Sequence, residues 1–448
     1  MFSSSLNKLL GNDYGNNSLL KGGAVFMIFQ LLGMLFGFVN VWIITRFFGA
    51  EAQGIIALFF SYAAIIIVFA TAGTNISLLR IVSQLIAEKK PAEIKEFVIK
   101  VHKLIILLSL GLTCLIFINA DFIAQYILRK AHFANSIRLV STVILPITML
   151  QLNAELVRAY GKMIHYGVLQ YCVSFFSIIF LLITIFFTSY NEISIPFVIQ
   201  IASNIIMFVI SIYFALSIIL SIKSAKSDNW SIKKILNFSK PFFLVQIVSV
   251  VNAWSAIIIL GWLGTEVDIG ILFVIMKVCS IIQLVFIAAN APVIPQYSQL
   301  YHIGKINELQ QLIYRTAKIV TLLTALSYSL IIIGSAWIVN FFGLDYEKSI
   351  AVLIILASAR FINVWTGPLE SFLMMTGKEK LVQNVATINA IVFIIVCCTI
   401  IPYYGIIGVA CMRFAVLSLR KIFLTIYITK HYGINFLYLP GFNRKAFK

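Results

Sequence analysis

Residues 23–45 read GAVFMIFQLLGMLFGFVNVWIIT and residues 55–79 read IIALFFSYAAIIIVFATAGTNISLL; neither stretch contains an Asp, Glu, Lys or Arg, and Arg46 and Glu51 mark the joint between them. About 20 apolar residues at ~1.5 Å rise cross the ~30 Å hydrocarbon layer of a bilayer, so each stretch is long enough to span it. Inside lipid every backbone N–H and C=O has to be satisfied within the segment, which makes these stretches helices and excludes open strands.

The rest of the chain repeats this pattern. Of the 448 residues 61% are hydrophobic and only 11% charged, and the mean hydropathy is +1.00, which leaves too little charge to solvate a globular surface. Apolar runs fall near 23–45, 55–79, 104–120, 139–157, 167–189 and 195–220, then near 242–263, 269–291, 319–341, 349–374, 383–401 and 406–427. The expected fold is an all-α polytopic membrane protein of about twelve transmembrane helices. The polar N-terminus lacks a small-residue cleavage site, and its first apolar run is too long for a signal segment, so that run is expected to stay as the first helix.

The formal net charge of +18 does not indicate nucleic-acid binding, because Lys and Arg sit mostly between apolar runs rather than in one basic face or tail. They concentrate in alternate connections: the N-tail, the 80s, the 160s, 223–240, the 300s, 378–380 and the C-tail. The intervening connections hold few, Arg46, Arg129, Lys130 and Lys348 among them. By the positive-inside rule this asymmetry puts both termini in the cytoplasm. All six cysteines (Cys114, Cys172, Cys279, Cys397, Cys398 and Cys411) lie in apolar runs without metal spacing, and are read as packing residues.

A weak internal repeat runs through the chain. Adding 215 takes Gly49 to Gly264, Glu51 to Glu266, Ser83-Gln84-Leu85 to Ser298-Gln299-Leu300, Lys90 to Lys305, Glu93 to Glu308 and Lys103 to Lys318. Adding 216 takes Gly161-Lys162 to Gly377-Lys378. The expected organisation is two pseudo-symmetric six-helix bundles, 1–222 and 241–448, joined by a basic cytoplasmic linker, 223–240. Six spans per half is even, so the halves share one orientation, related by an axis along the membrane normal.

Lys277, Arg360 and Arg413 lie well inside their spans, where an ionised side chain costs about 2.5–3.5 kcal/mol and needs a partner or water. Acids that could pair with them are few. Glu155 has Arg158 at i+3, a structural pairing, and Glu370 is the other. With Arg80 these three cations form the candidate anion-binding set, although Arg80, like Arg46, sits at a span end from which it can snorkel. Candidate polar lining is Gln30 and Asn40 in the first span, Asn252 in the seventh, Gln283 in the eighth, and Asn363 and Glu370 in the tenth. Helical spacing puts Arg360, Asn363, Gly367 and Glu370 near one face, with Pro368 expected to kink the helix. Gly33 and Gly37 are read as close helix packing, and Trp42, Trp262 and Trp337 as interface anchors.

No catalytic constellation is found: there is no phosphate-binding glycine loop, nucleophile elbow, paired carboxylates on an outer loop or histidine cluster, so neither catalytic residues, metal nor cofactor is expected. Every connection is too short for an ATPase, and the drive has to come from a substrate gradient, an ion or the membrane potential.

Several stretches resemble the polysaccharide transporters of the multidrug/oligosaccharidyl-lipid/polysaccharide exporter superfamily, most of all the O-antigen (Wzx-type) flippases. They are Arg46-Phe47-Phe48-Gly49-Ala50-Glu51-Ala52-Gln53-Gly54, Leu156-Val157-Arg158-Ala159-Tyr160-Gly161-Lys162 and Pro292-Val293-Ile294-Pro295 with the amphipathic 298–316 connection. The resemblance covers essentially the whole chain. It implies a bacterial inner-membrane flippase in which two bundles alternate between inward and outward openings around a cationic cavity. The implied substrate is an undecaprenyl-diphosphate-linked oligosaccharide, held at Lys277, Arg360 and Arg413. The implied partners are membrane lipid, a polysaccharide polymerase, a chain-length regulator and a coupling proton or sodium ion. Two other readings stand beside it: a membrane-embedded glycan polymerase or ligase, and a drug/cation antiporter of the same superfamily. The antiporter would be expected to carry a carboxylate in span 1 or 7, where this chain has Gln30, Asn40, Gln246 and Asn252.

Overall fold

The computed structural model describes residues 16–187, 192–222, 229–290, 293–434 and 436. The first fifteen residues, the basic C-tail from 437, part of the 223–240 linker and Pro292 lie outside the described residues. Among those described, every regular element is a helix: α1 (Asn16–Thr71), α2 (Thr74–Ala87), α3 (Pro91–Ile118), α4 (Ala134–Ser141), α5 (Ile144–Ala159), α6 (Met163–Tyr171), α7 (Val173–Phe187) and α8 (Ile195–Ser221). There follow α9 (Ile232–Leu263), α10 (Glu266–Asn290), α11 (Ile294–His302), α12 (Ile306–Ile333), α13 (Ser335–Phe341), α14 (Tyr346–Trp365), α15 (Leu369–Met375) and α16 (Glu379–Tyr432). Nine of the described helical segments are long and apolar enough to cross a membrane, and a tenth arises if α6 and α7, bent by 45° at their junction, count as one.

Two of the nine exceed any bilayer. The apolar part of α1, Val25–Thr71, is 47 residues and so about 70 Å long, more than twice the hydrocarbon thickness. It turns at Gly49 (φ 87, ψ 166), and the 54-residue α16 turns at Gly405 (φ 54, ψ −138). A Cβ at either glycine would meet nothing within 4 Å. The requirement is therefore the backbone conformation, which L side chains resist, and not crowding. Where the sequence suggests two spans and a loop, the chain bends at one residue.

The internal repeat recurs in element boundaries. Ile306 follows Pro91, and Ile333 follows Ile118, by the same 215 residues, so that α3 and α12 are matched 28-residue helices. Lys89 and Gly304, also 215 apart, both take positive φ just before these helices, and Gly161 and Gly377 both do so at the 216 offset.

The chain forms two compact units, which differ from the two sequence halves: the first comprises residues up to Asn40, Ile66–Tyr190 and Val198–Leu244, the second Val41–Ile65, Asn191–Phe197 and the chain from Val245 onward. In the first, α5 packs against α2, α3 and α6 around Leu78, Phe97, Val98, Leu152 and Val157, all fully buried. Ser77 Oγ and Ser239 Oγ share a 2.7 Å hydrogen bond there. In the second, α14 packs against α10, α12 and α16, and Tyr297, Leu309, Phe372, Leu373 and Phe436 form a second buried cluster. Gly54 and Gly270 meet in this unit. A Cβ on Gly54 would overlap the carbonyl of Glu266, and one on Gly270 that of Ala50, a backbone-to-backbone crossing available only to small residues.

Two expectations change. The tenth span stays one candidate crossing, Glu347–Met375, but the expected kink at Pro368 is an interruption of the helix: α14 ends at Trp365, Gly367 takes φ 78, and Pro368 caps the separate helix α15. A proline lacking an N–H together with a left-handed glycine ends a helix, so Glu370 no longer shares a helical face with Arg360 and Asn363. The 298–316 connection is likewise interrupted, by the Gly304 turn between α11 and α12.

Candidate cationic cavity

In the second unit α9, α10, α14 and α16 enclose a cavity of about 340 Å³, within the range of small-ligand sites. Three arginines (Arg360, Arg413, Arg420) and three asparagines (Asn252, Asn363, Asn389) line it, with Met276, Phe393, Val416 and Leu417 among the apolar walls. The lining holds no carboxylate. Arg413, Val416, Leu417 and Arg420 fall at i, i+3, i+4 and i+7 along α16, so one helical face carries two guanidinium groups two turns apart.

Each arginine is held by the protein without being neutralised in full. Arg360 Nη1 donates to Gln283 Oε1 at 3.0 Å. Arg413 Nη1 donates to the carbonyl of Asn252 at 2.9 Å, and its guanidinium lies 5.6 Å from the centre of the Phe393 ring, a cation–π contact. Asn252 is itself fixed, donating through Nδ2 to the carbonyls of Val248 at 2.9 Å and Ala386 at 3.3 Å. Arg420 reaches Glu370 Oε1 at 3.3 Å, while Lys421 binds the other oxygen of the same carboxylate at 2.7 Å. Arg420 Nε is buried without a hydrogen-bond partner among the described residues. Guanidinium forks with spare N–H donors beside carboxamides suit a multivalent oxyanion such as a phosphate or diphosphate.

Of the sequence candidates, Arg360, Arg413, Asn252 and Asn363 come together on this cavity, and Gln283 joins it through Arg360. Lys277 is half-buried next to the lining residue Met276; among the described residues no hydrogen bond or ion pair reaches its Nζ. Glu370 does not line the cavity but pairs with Arg420 and Lys421. The remaining three belong to the first unit. Gln30 is half-buried on α1. Asn40 is buried and committed to an interhelical trio: Ser177 Oγ donates to its Oδ1 at 2.9 Å, and its Nδ2 donates to Gln200 Oε1 at 3.4 Å. Arg80 is exposed, its guanidinium 5.7 Å from the centre of the Phe238 ring.

Arg420 and Asn389 were not among the candidates. The signal for Arg420 was available in its two-turn spacing from Arg413, but it lies close enough to the span end to pass for a snorkelling residue. Asn389 is an isolated carboxamide in an otherwise apolar run. The expected Glu155 pairing is present, with Arg158 Nη1 at 3.4 Å from Glu155 Oε2. Among the described residues no group of His, Cys, Asp and Glu could hold a metal ion.

Comparison with known proteins agrees with this architecture. A family model described as "Polysaccharide biosynthesis protein" matches residues 19–301. A multidrug resistance MATE family transporter of the MOP superfamily, solved in an inward-facing conformation, superposes with a TM-score of 0.72 at 14% identity over 88% of this chain and 93% of that one. The lipid II flippase MurJ, in an inward closed conformation, gives 0.72 at 18% identity over 91% and 87%. A MOP superfamily transporter from Pyrococcus furiosus gives 0.57 at 12% identity over 92% and 94%. No curated protein matches the sequence. At these identities the solved structures establish the fold, and together with the apolar helices they make this chain a multi-pass membrane protein.

Proposed function

The chain belongs to the polysaccharide biosynthesis protein family, and from that premise we propose that it is a flippase carrying an undecaprenyl-diphosphate-linked oligosaccharide from the cytoplasmic to the outer face of a bacterial inner membrane by alternating access. The observation that carries this reading is the convergence of Arg360, Arg413 and Arg420 on one cavity without a lining carboxylate. Arg360 and Arg413 have no carboxylate partner among the described residues, and uncompensated cations at their depth are costly, a cost that an anionic headgroup recovers. The diphosphate takes the guanidinium donors and the asparagines, with Lys277 one step away; the polyprenyl tail stays in lipid. Outward movement of negative charge is favoured by an inside-negative potential at about 2.3 kcal/mol per charge per 100 mV.

Each half of α1 and of α16 is taken as a separate crossing, and α6 with α7 as one. The total is then twelve, with both termini cytoplasmic. A drug/cation antiporter fits the lining less well, since its cargo calls for a carboxylate. A glycan polymerase or ligase leaves the repeated helix boundaries without a purpose.

The test is complementation of a strain lacking its own flippase, following lipid-linked glycan on each face of the inner membrane. Restored surface glycan with depletion of the cytoplasmic-face intermediate is the expected result. Intermediate already on the outer face without this protein, unpolymerised or unligated, would overturn the reading in favour of an enzyme.

A further inference from the structure

Within the second unit, α1 and the short helix α13 flank an open pocket of about 300 Å³. Trp42 and Arg46 line it from α1, and Trp337, Asn340 and Phe341 from α13. None of them lines the arginine cavity. Each set is spaced at i, i+3 or i+4, so each occupies one helical face.

The last carbonyls of a helix have no partner within it. Here α1 supplies the donors: Trp42 Nε1 donates to the Phe341 carbonyl at 3.1 Å, and Arg46 Nη1 to the Asn340 carbonyl at 3.4 Å. These bonds hold the indole and the guanidinium in place. Phe341 stacks on Trp42, with ring centres 5.3 Å apart and planes at 17°, and on Trp337, at 5.1 Å and 18°. Three aromatic rings thus stand nearly parallel beside a guanidinium. Trp337 is 67% exposed and Phe341 37%, and Arg46 and Asn340 are exposed as well.

An interface anchor, as the sequence reads Trp42 and Trp337, turns its indole N–H toward water or headgroups. Trp42 spends that N–H inside the protein and offers only its ring. Nor does the pocket suit an acyl chain, since no aliphatic side chain lines it. A pyranose is the complementary shape. Its flatter face presents C–H groups, which pack against the electron-rich face of an aromatic ring, while its rim of hydroxyls takes donors and acceptors of the kind that the Asn340 carboxamide supplies. Arg46 adds a further demand. Among the described residues no carboxylate pairs with it, and most of its N–H fork is left for a ligand, which suits a sugar that carries a carboxylate.

We propose that Trp42, Trp337, Phe341 and Arg46 form a sugar-binding subsite, separate from the arginine cavity, that takes an acidic hexopyranose of the uronic acid type. Arg46 lies in one of the sparsely charged connections, which the proposed topology puts on the outer face. That this sugar belongs to the exported repeat unit, and that the subsite selects for it, rests on the flippase reading; binding itself does not.

Saturation-transfer difference NMR on the full-length protein, in nanodiscs of zwitterionic lipid, tests the site with methyl glucuronide and methyl galacturonide against methyl glucoside and methyl galactoside. The acidic sugars should bind with millimolar affinity, about ten-fold tighter than the neutral ones, with saturation strongest at the C–H protons of one ring face. R46Q should abolish that preference and R46K keep part of it. W337A, at a position too exposed for the fold to depend on it, should weaken every probe at least several-fold. No binding, equal binding of acidic and neutral sugars by wild type, or unchanged binding by W337A overturns the subsite. Binding should also survive in nanodiscs containing phosphatidylglycerol; its abolition there would reassign the pocket to an anionic lipid headgroup. Export is read separately, in the flippase-deficient strain supplied with an acidic or a neutral repeat unit. R46Q and W337A should lower export of the acidic glycan several-fold at normal protein level. Unchanged export despite lost sugar binding overturns the selective role, whereas no export by any form, with sugar binding intact, overturns the flippase reading and leaves the subsite standing.

Discussion

Lys421 Nζ stands 2.7 Å from Glu370 Oε2 with its own side chain 3% exposed, and the pair joins α16 to the short helix α15. Lys421 is the counter-ion of this carboxylate, which leaves Arg420, at 3.3 Å from the other oxygen, as the surplus cation that turns toward the cavity. Removing Lys421 hands the carboxylate to Arg420. K421M is therefore expected to keep normal abundance while transport falls about ten-fold, one decade corresponding to ~1.4 kcal/mol. E370Q strands Lys421 as a buried unpaired charge, a loss of about 3–5 kcal/mol. Fluorescence-detected size-exclusion melting should separate the two, with E370Q markedly less stable than K421M.

Neutral replacement in the cavity tests the anion site itself. A charge-assisted hydrogen bond contributes about 1.5–3 kcal/mol, so R360Q and R413Q should each lower transport by roughly ten- to a hundred-fold at unchanged protein level. R413K keeps the charge but loses the fork that also reaches the Asn252 carbonyl, and recovers part of the activity. K277Q should have a smaller effect, since Met276 and not Lys277 meets the cavity. Full export by all three Gln variants, measured as surface glycan per molecule of transporter, would remove the cavity from the mechanism.

The Gly54–Gly270 crossing sets a packing prediction. A methyl group at either position collides with backbone rather than with a flexible side chain, and the helices have to move apart. G54V and G270V are each expected to melt well below wild type, or to fail to accumulate. G161A, where no neighbour lies within 4 Å and only the φ of 70° is strained, should cost about 1 kcal/mol. Thermal melting in detergent ranks the three.

Fold class was legible because lipid imposes one rule on every segment: apolar length without charge. What it could not reveal was where a span ends. Gly49 and Gly405 let helices continue through a bend, while Gly367 and Pro368 stop one that the sequence marks only for a kink at Pro368, and both outcomes depend on single backbone conformations within similar apolar text. In the cavity, Arg360 and Arg413 were visible as charges too deep to snorkel. Asn40 was equally visible as a polar residue in a span, yet Ser177 and Gln200 claim it, and nothing in the residues around it in sequence reports a partner 137 or 160 positions away.

The matched boundaries of α3 and α12 bear on topology. Lys90 and Lys305 precede these helices at equivalent, exposed positions; Arg129 and Lys348 are exposed beyond the far ends of the same spans. In a background with the six cysteines replaced, K90C and K305C should react with a membrane-impermeant thiol reagent only after the inner membrane is opened, and R129C and K348C in intact spheroplasts. The bent α6–α7 pair decides the outcome. If its 45° break marks one full crossing, an even number of crossings separates residues 90 and 305 and the two label alike. If instead the pair re-enters on the side it left, the count becomes odd, residues 90 and 305 label from opposite faces, and the two halves cannot share an orientation.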